Sequence, residues 1–174
     1  MKDKAVFFTT PDMLQSDGVA VDLFSATINI EEWKALRLLT LAGYTIVLFT
    51  PQRATVYAEC HEPYWVGGLE VRVPRRIVRN PARQVAPLLQ ASASLDLNLT
   101  DSWIVGDKLD TIEVGHLIGC KTMLLTDGHE TDWDMTVTRW PDMIAGDVWE
   151  IACLIVMSDG SSVEGLSANI DDDE

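Results

Sequence analysis

The chain alternates short, almost wholly apolar runs with longer stretches of helical periodicity, and that alternation restricts the folds open to it. Ala5-Val6-Phe7-Phe8, Tyr44-Thr45-Ile46-Val47-Leu48-Phe49 and Trp103-Ile104-Val105 show no polar–apolar alternation, so each reads as a strand buried on both faces. From Glu31 to Ala42 the acids come first, then Trp33, Leu36 and Leu39 at helical spacing, with Gly43 as a stop. A second helix is expected from about Pro87 to Leu95, with Pro87 in its first turn. A helical stretch then closes at Gly119, Thr122-Met123-Leu124-Leu125 gives a further strand, and Asp147 to Met157 reads as the final helix. Strands that alternate with helices and need cover on both faces imply an α/β fold. The expected form is a Rossmann-like three-layer sandwich around a mainly parallel sheet.

Ligands of such sheets sit beyond the carboxyl ends of the strands. That rule selects Thr9-Thr10, Thr50-Pro51-Gln52, Gly106-Asp107-Lys108 and Thr126-Asp127-Gly128. Hydroxyls beside helix N-terminal amides suit a phosphate or another oxyanion. The plainer alternative is that each Thr or Asp only caps the element that follows it.

The 174 residues suffice for one full core, and the formal net charge is −14. The charge is unevenly placed: residues 1–126 carry 14 acids and 12 bases, whereas residues 127–174 carry 13 acids and only Arg139. An acidic chain is a poor partner for nucleic acid or an anionic membrane surface. Three scattered cysteines, Cys60, Cys120 and Cys153, do not make a disulfide framework, and a cytoplasmic setting is expected. Residues 1–157 are expected to form the domain, with 158–174 as a flexible acidic tail ending in Asp171-Asp172-Asp173-Glu174.

Lys4-Ala5-Val6-Phe7-Phe8, the stretch Gly43 to Gln52, Ser102-Trp103-Ile104-Val105-Gly106-Asp107-Lys108-Leu109 and Gly119 to Leu125 together resemble the haloacid dehalogenase (HAD) superfamily. The resemblance is to its histidinol-phosphate and heptose-bisphosphate phosphatase branch, and it implies a HAD-like fold with no large cap domain. It also implies an Asp nucleophile directly after the first strand and an acid/base Asp two residues later. Those positions hold Thr9 and Pro11, and Asp12 stands one residue beyond as a possible substitute. Thr50 matches the family's phosphate-binding hydroxyl, followed by Pro51 and Gln52.

The family lysine has no counterpart. Its expected position is Ala82, flanked by Arg79 and Arg83 as alternative sources of positive charge. For magnesium, Asp107 fits the family's Gly-Asp, while the second acid's position is Thr111, with Asp110 one place early. Asp107 and Asp110 would therefore hold magnesium weakly. Cys60-His61 and Pro63 resemble the start of the branch's zinc loop, but no later cysteine pair completes four ligands, so zinc is not expected.

Five arginines, Arg72, Arg75, Arg76, Arg79 and Arg83, fall within twelve positions. They are either a solvated loop paired with acidic residues or an anion-binding patch at the mouth of the cleft. His116 reads as a surface residue, and His129, with Asp127, Glu130 and Asp132, as a possible rim of the cleft. Asp132, Asp134 and Asp142 read as solvated acids.

Two functions follow. One is a catalytically degenerate HAD-like protein that binds a phosphorylated small molecule or a protein partner through Thr9, Thr10, Thr50, Gln52, Arg79, Arg83 and Lys108. The other is an active magnesium-dependent sugar-phosphate phosphatase with relocated groups such as Asp12 and Asp107. Opposite charges in the two parts of the chain also favour self-association into a homo-oligomer or a basic partner.

Overall fold

The apolar runs become the middle of one sheet. The structure, a computed structural model, describes residues 3–9, 30–49, 53–57, 60–61, 64–65, 68–72, 82–126 and 135–171. In chain order the elements are β1 (Lys4–Phe8), α1 (Ile30–Leu41), β2 (Tyr44–Phe49), β3 (Arg53–Tyr57), β4 (Cys60–His61), β5 (Tyr64–Trp65) and β6 (Gly68–Arg72). There follow α2 (Ala82–Ser94), β7 (Trp103–Gly106), α3 (Leu109–Ile118), β8 (Lys121–Leu125), β9 (Met143–Ala145), α4 (Val148–Ser158) and α5 (Val163–Asp171). The sheet runs β6-β3-β2-β1-β7-β8-β9. Its strands β2, β1, β7, β8 and β9 are parallel, and β3 and β6 extend it antiparallel beyond β2. The expected α/β three-layer architecture with a mainly parallel sheet is what forms.

Ala5, Val6, Phe7 and Phe8 are each 0% exposed, because consecutive side chains enter different cores. Val6 and Phe8 pack with Leu36 and Leu39 of α1, Ile151 and Ile155 of α4, and Ile170 of α5. Ala5 and Phe7 pack with Leu88 and Ala91 of α2 and with Val114 and Ile118 of α3. Those two clusters are the two outer interfaces of the sandwich.

Helix α3 lies close on the sheet at Gly115, where a Cβ would stand 2.2 Å from Ile104 Cγ2 and 2.5 Å from Thr122 Cγ2. It ends at Gly119 in the left-handed region (φ 80°), as the sequence led one to expect. Asp147 caps α4 by accepting from the Glu150 amide at 2.7 Å, and Glu150 in turn accepts from the Gly146 amide at 2.7 Å.

Three expectations need correction. Helix α2 starts at Ala82, which puts Pro87 in its interior, where it leaves the Arg83 carbonyl without its usual donor. Helix α4 is not the last. Within the segment 158–174, taken above for a flexible tail, residues Val163–Asp171 form α5, which packs against α1 and α4. Val163, Leu166 and Ile170, at i, i+3 and i+7, make a single apolar stripe, and Ile170 is only 3% exposed. Asp142, read as a solvated acid, is exposed and also accepts from the Thr122 amide at 2.7 Å and the Thr122 hydroxyl at 2.8 Å, tying the approach to β9 onto β8. No described helix is long and apolar enough to cross a membrane.

Asp159, between α4 and α5, gathers the amino ends of the strands. It accepts from Lys4 Nζ at 2.6 Å and from the Tyr44 hydroxyl at 2.5 Å, with Lys121 Nζ at 3.9 Å. Burial works to raise its pKa, but the hydrogen bonds from Lys4 and Tyr44 and the charges of Lys4 and Lys121 outweigh it and hold the carboxyl below its ordinary value. Tyr44 is shifted upward by burial first and by Asp159 second. A depressed folded pKa means the carboxylate stabilises above its ordinary value of 3.8 and loses that contribution as pH falls through the folded value. Asp159→Asn should therefore cost about 1–3 kcal/mol in urea unfolding at pH 7, and the gap to wild type should close on acidification below that value. Gly115→Ala should destabilise by about 1–3 kcal/mol through overpacking. Gly165→Ala, in α5 with nothing nearer than Ser162 Cβ at 3.9 Å, should be neutral or stabilising.

Candidate functional site

Thr9 is the residue on which the candidate site turns. The register Phe8↔Leu48 and Phe8↔Val105 brings the carboxyl ends of β1, β2 and β7 together, and Thr9 is the next residue along. Its backbone amide donates to the Val105 carbonyl at 3.0 Å, and its hydroxyl donates to the same oxygen at 3.0 Å. Thr111 Oγ1 lies 3.3 Å from Thr9 Oγ1. With the Thr9 hydroxyl hydrogen committed to Val105, Thr111 is the donor in that pair.

Thr111 reaches this place because of Gly106. A Cβ there would stand 2.4 Å from Thr111 Cγ2, so only glycine lets the first turn of α3 close onto the end of β7. Thr111 is 6% exposed, and its amide donates to the Lys108 carbonyl at 3.0 Å, tightening that turn. Two positions where the sequence resemblance called for carboxylates thus hold hydroxyls that bond each other.

Thr9 stands at the expected nucleophile position and was also expected to bind ligand. Both of its donors are spent on Val105, and among the described residues the groups that touch its hydroxyl are a carbonyl and a second hydroxyl, neither of them a base. The same geometry recurs at the end of β8, where the Thr126 amide (2.9 Å) and hydroxyl (3.4 Å) both donate to the Ala145 carbonyl. Both hydroxyls thus bond the carbonyl of a neighbouring strand and do not cap the element that follows.

Asp107 is half-buried at the end of β7, as expected. Lys108 is exposed and occupies the position before α3. Asp110 pairs with Arg139, Nη2 to Oδ1 at 2.5 Å, while Arg139 Nε donates to Glu113 at 3.1 Å. This three-residue cluster ties α3 to the segment before β9. Among the described residues no three His, Cys, Asp or Glu side chains gather where they could hold a cation. Among the described residues, one carboxylate beside two mutually bonded hydroxyls offers fewer hard oxygens than the octahedral array magnesium wants.

Thr10, Pro11, Asp12, Thr50, Gln52, Arg79 and the stretch 127–134 with His129 lie outside the described residues. Arg83 is the second residue of α2. Cys60 and His61 form β4 and pair in register with Trp65 and Tyr64. His116 Nε2 donates to the Trp140 carbonyl at 2.9 Å, which gives this ring a structural role. Burial pushes the Cys120 thiol up to about 12, and burial followed by Asp147 and Glu150 pushes Cys153 up, so neither is a poised nucleophile.

The sequence reading missed the bond between Thr111 and Thr9 and the part played by Gly106. The available signal was the spacing itself: a glycine at a strand end, followed five residues later by a small hydroxyl on the first helical turn.

The fold has a counterpart among solved structures. A putative HAD-like phosphatase from Mesorhizobium loti matches with a TM-score of 0.56 and 19% identity, over 95% of this chain and 88% of that one. The fold is that of a HAD-like phosphatase. A HAD-hydrolase-like family model matches residues 81–151, from the start of α2 into α4. That HAD-like match includes Asp107 and Thr111 but not β1 or Thr9. No curated protein matches the sequence.

Thr111→Val, which keeps the shape and removes the donor, should cost about 0.5–1.5 kcal/mol in urea unfolding. Gly106→Ala should cost more, about 1–3 kcal/mol, because the new methyl group must displace the first turn of α3.

Proposed function

We propose that this chain is a HAD-like protein without a hydrolytic step, and that it binds a phosphorylated or otherwise anionic small molecule at the carboxyl ends of β1, β2 and β7. The observation that carries this reading is the Thr9 hydroxyl, which donates to the Val105 carbonyl and accepts from Thr111. Attack on phosphorus needs a charged oxygen or a hydroxyl with a base beside it. Among the described residues Thr9 has no base beside it, and Pro11 has no proton to give a leaving oxygen.

Positive charge and donors support the ligand half of the reading. Arg79 and Arg83 stand before and within the first turn of α2. That helix leads back to the start of β7, so its amino end lies at the same end of the sheet as the carboxyl end of β1. Thr50 and Gln52 follow β2 directly and supply a hydroxyl and an amide. Helix α3 begins at the end of β7, and the first-turn amides of a helix favour negative charge. In this reading the site selects an anion and leaves it intact.

With magnesium and p-nitrophenyl phosphate, the purified protein should show no turnover above background. Turnover that disappears in Asp12→Asn would overturn the non-hydrolytic reading. Inorganic phosphate should raise the melting temperature, and Thr50→Val or Arg83→Ala should reduce that shift by at least half. An undiminished shift in both variants would remove the cleft as the binding place.

A further inference from the structure

The far edge of the sheet carries an arrangement that the cleft does not use. Strand β9 ends the order β6-β3-β2-β1-β7-β8-β9, and among the described residues no strand lies beyond it. Its register with β8 is Met123↔Met143, Leu124↔Ile144 and Leu125↔Ala145, and the Ala145 carbonyl accepts from the Thr126 amide at 2.9 Å. Backbone groups alternate in direction along a strand. Met143 and Ala145 therefore face β8, and Ile144 turns its amide and carbonyl to the open side. The neighbouring amides are already committed: Asp142 donates to the Thr122 hydroxyl at 3.0 Å, and Gly146 donates to Glu150 at 2.7 Å. Ile144 is thus the residue through which this edge can add a strand. Neither lysine nor proline stands within β9 to blunt it.

The surface beside this edge is apolar and firmly held. Ile144 is 51% exposed and shares the register face of Leu124, which packs with Leu109 and Ile112 of α3. The Trp140 carbonyl accepts from His116 of α3 at 2.9 Å, and Arg139 before it is paired with Asp110 and Glu113. The Trp140 residue is nevertheless 65% exposed, and Leu117, next to His116, is exposed as well. A fixed, exposed tryptophan is the kind of group that anchors protein contacts. Three exposed acids flank the strand, Asp142 before it and Asp147 and Glu150 after it. Among the described residues none of these three pairs with a base. A second copy would bring the same acids to the edge, whereas a basic chain is opposite to them in charge.

We propose that the β9 edge binds an extended basic segment of a partner protein, with an apolar residue opposite Ile144 and lysine or arginine on either side. The segment adds as an antiparallel strand. Its central residue exchanges both backbone hydrogen bonds with Ile144, and its side chain meets Ile144 on the shared face. The basic residues answer Asp142 at one end of β9 and Asp147 and Glu150 at the other. A three-residue strand supplies few bonds, so the contact is a weak, transient one. Nothing in it depends on the cleft.

The probe is a fluorescein-labelled heptapeptide with isoleucine at its centre, valine on each side and lysine elsewhere, titrated with the full chain and followed by anisotropy. It should bind with a micromolar Kd at about 50 mM salt and at least threefold more weakly at about 300 mM. A counterpart with glutamate in place of lysine should bind at least tenfold more weakly. A peptide of the same composition with its apolar residues moved to one end should lose at least threefold. Ile144→Pro removes the outward amide and no ladder bond, so the variant should fold and lose at least tenfold in affinity. Should it fail to fold, Ile144→Lys sets a like charge against the segment and should lose as much. Trp140→Ala should lose at least threefold. Affinity unchanged within twofold in the Ile144 variants would overturn the proposal, as would equal binding of the glutamate or the rearranged peptide. So would a dimer in sedimentation that Ile144→Pro dissolves while the peptide fails to bind, since the occupant is then a second copy. Turnover dependent on Asp12 would overturn the cleft reading and leave this one standing.

Discussion

Burial of β1 on both faces is the constraint from which the rest of the described structure follows. Its four apolar residues send alternate side chains into two separate cores, one under α1, α4 and α5 and the other under α2 and α3. A slip of one residue would exchange the two sets, so the register is held from both sides at once. That rigidity fixes where the strand ends. Thr9 meets the Val105 carbonyl because Phe8 is locked opposite Val105, and Thr111 meets Thr9 because Gly106 admits the first turn of α3.

The two ends of the sheet handle polar groups differently. At the amino ends an ionised carboxylate, Asp159, is held by Lys4, Tyr44 and Lys121. At the carboxyl ends of β1 and β8 the same task falls to threonine hydroxyls on carbonyls. Three of the 13 acids after residue 126 serve the fold in this way: Asp142 ties β8 to the approach to β9, Asp147 caps α4, and Asp159 anchors the amino ends of the strands.

The double-faced strands, helix α1 and the stop at Gly119 were legible in the sequence because one local pattern decides each of them. Composition misled at α5, where Val163, Leu166 and Ile170 are thinly spread among polar residues and acquire meaning only against α1. Strands β3 and β6 mix charged and apolar residues, and β9 has three residues, so neither carries a periodicity that stands above its surroundings. Pro87 misled because a proline is a start signal only by frequency, and packing by Leu88 and Ala91 is enough to keep α2 continuous through it. At the candidate site, the sequence showed which residue types stand at the expected positions. It could not show that two hydroxyls 102 residues apart would bond each other, since that contact depends on how closely α3 approaches β7.

The exchange of carboxylates for hydroxyls changes the electrostatics of the site as well as its chemistry. Two carboxylates side by side repel and need a cation or a shared proton before both can stay. Thr9 and Thr111 need neither, because each satisfies the other and Val105 takes the remaining hydrogen. Under the proposed function, an anion at this end of the sheet meets two mutually bonded hydroxyls beside Asp107 in place of a group of carboxylates, so less negative charge opposes its approach.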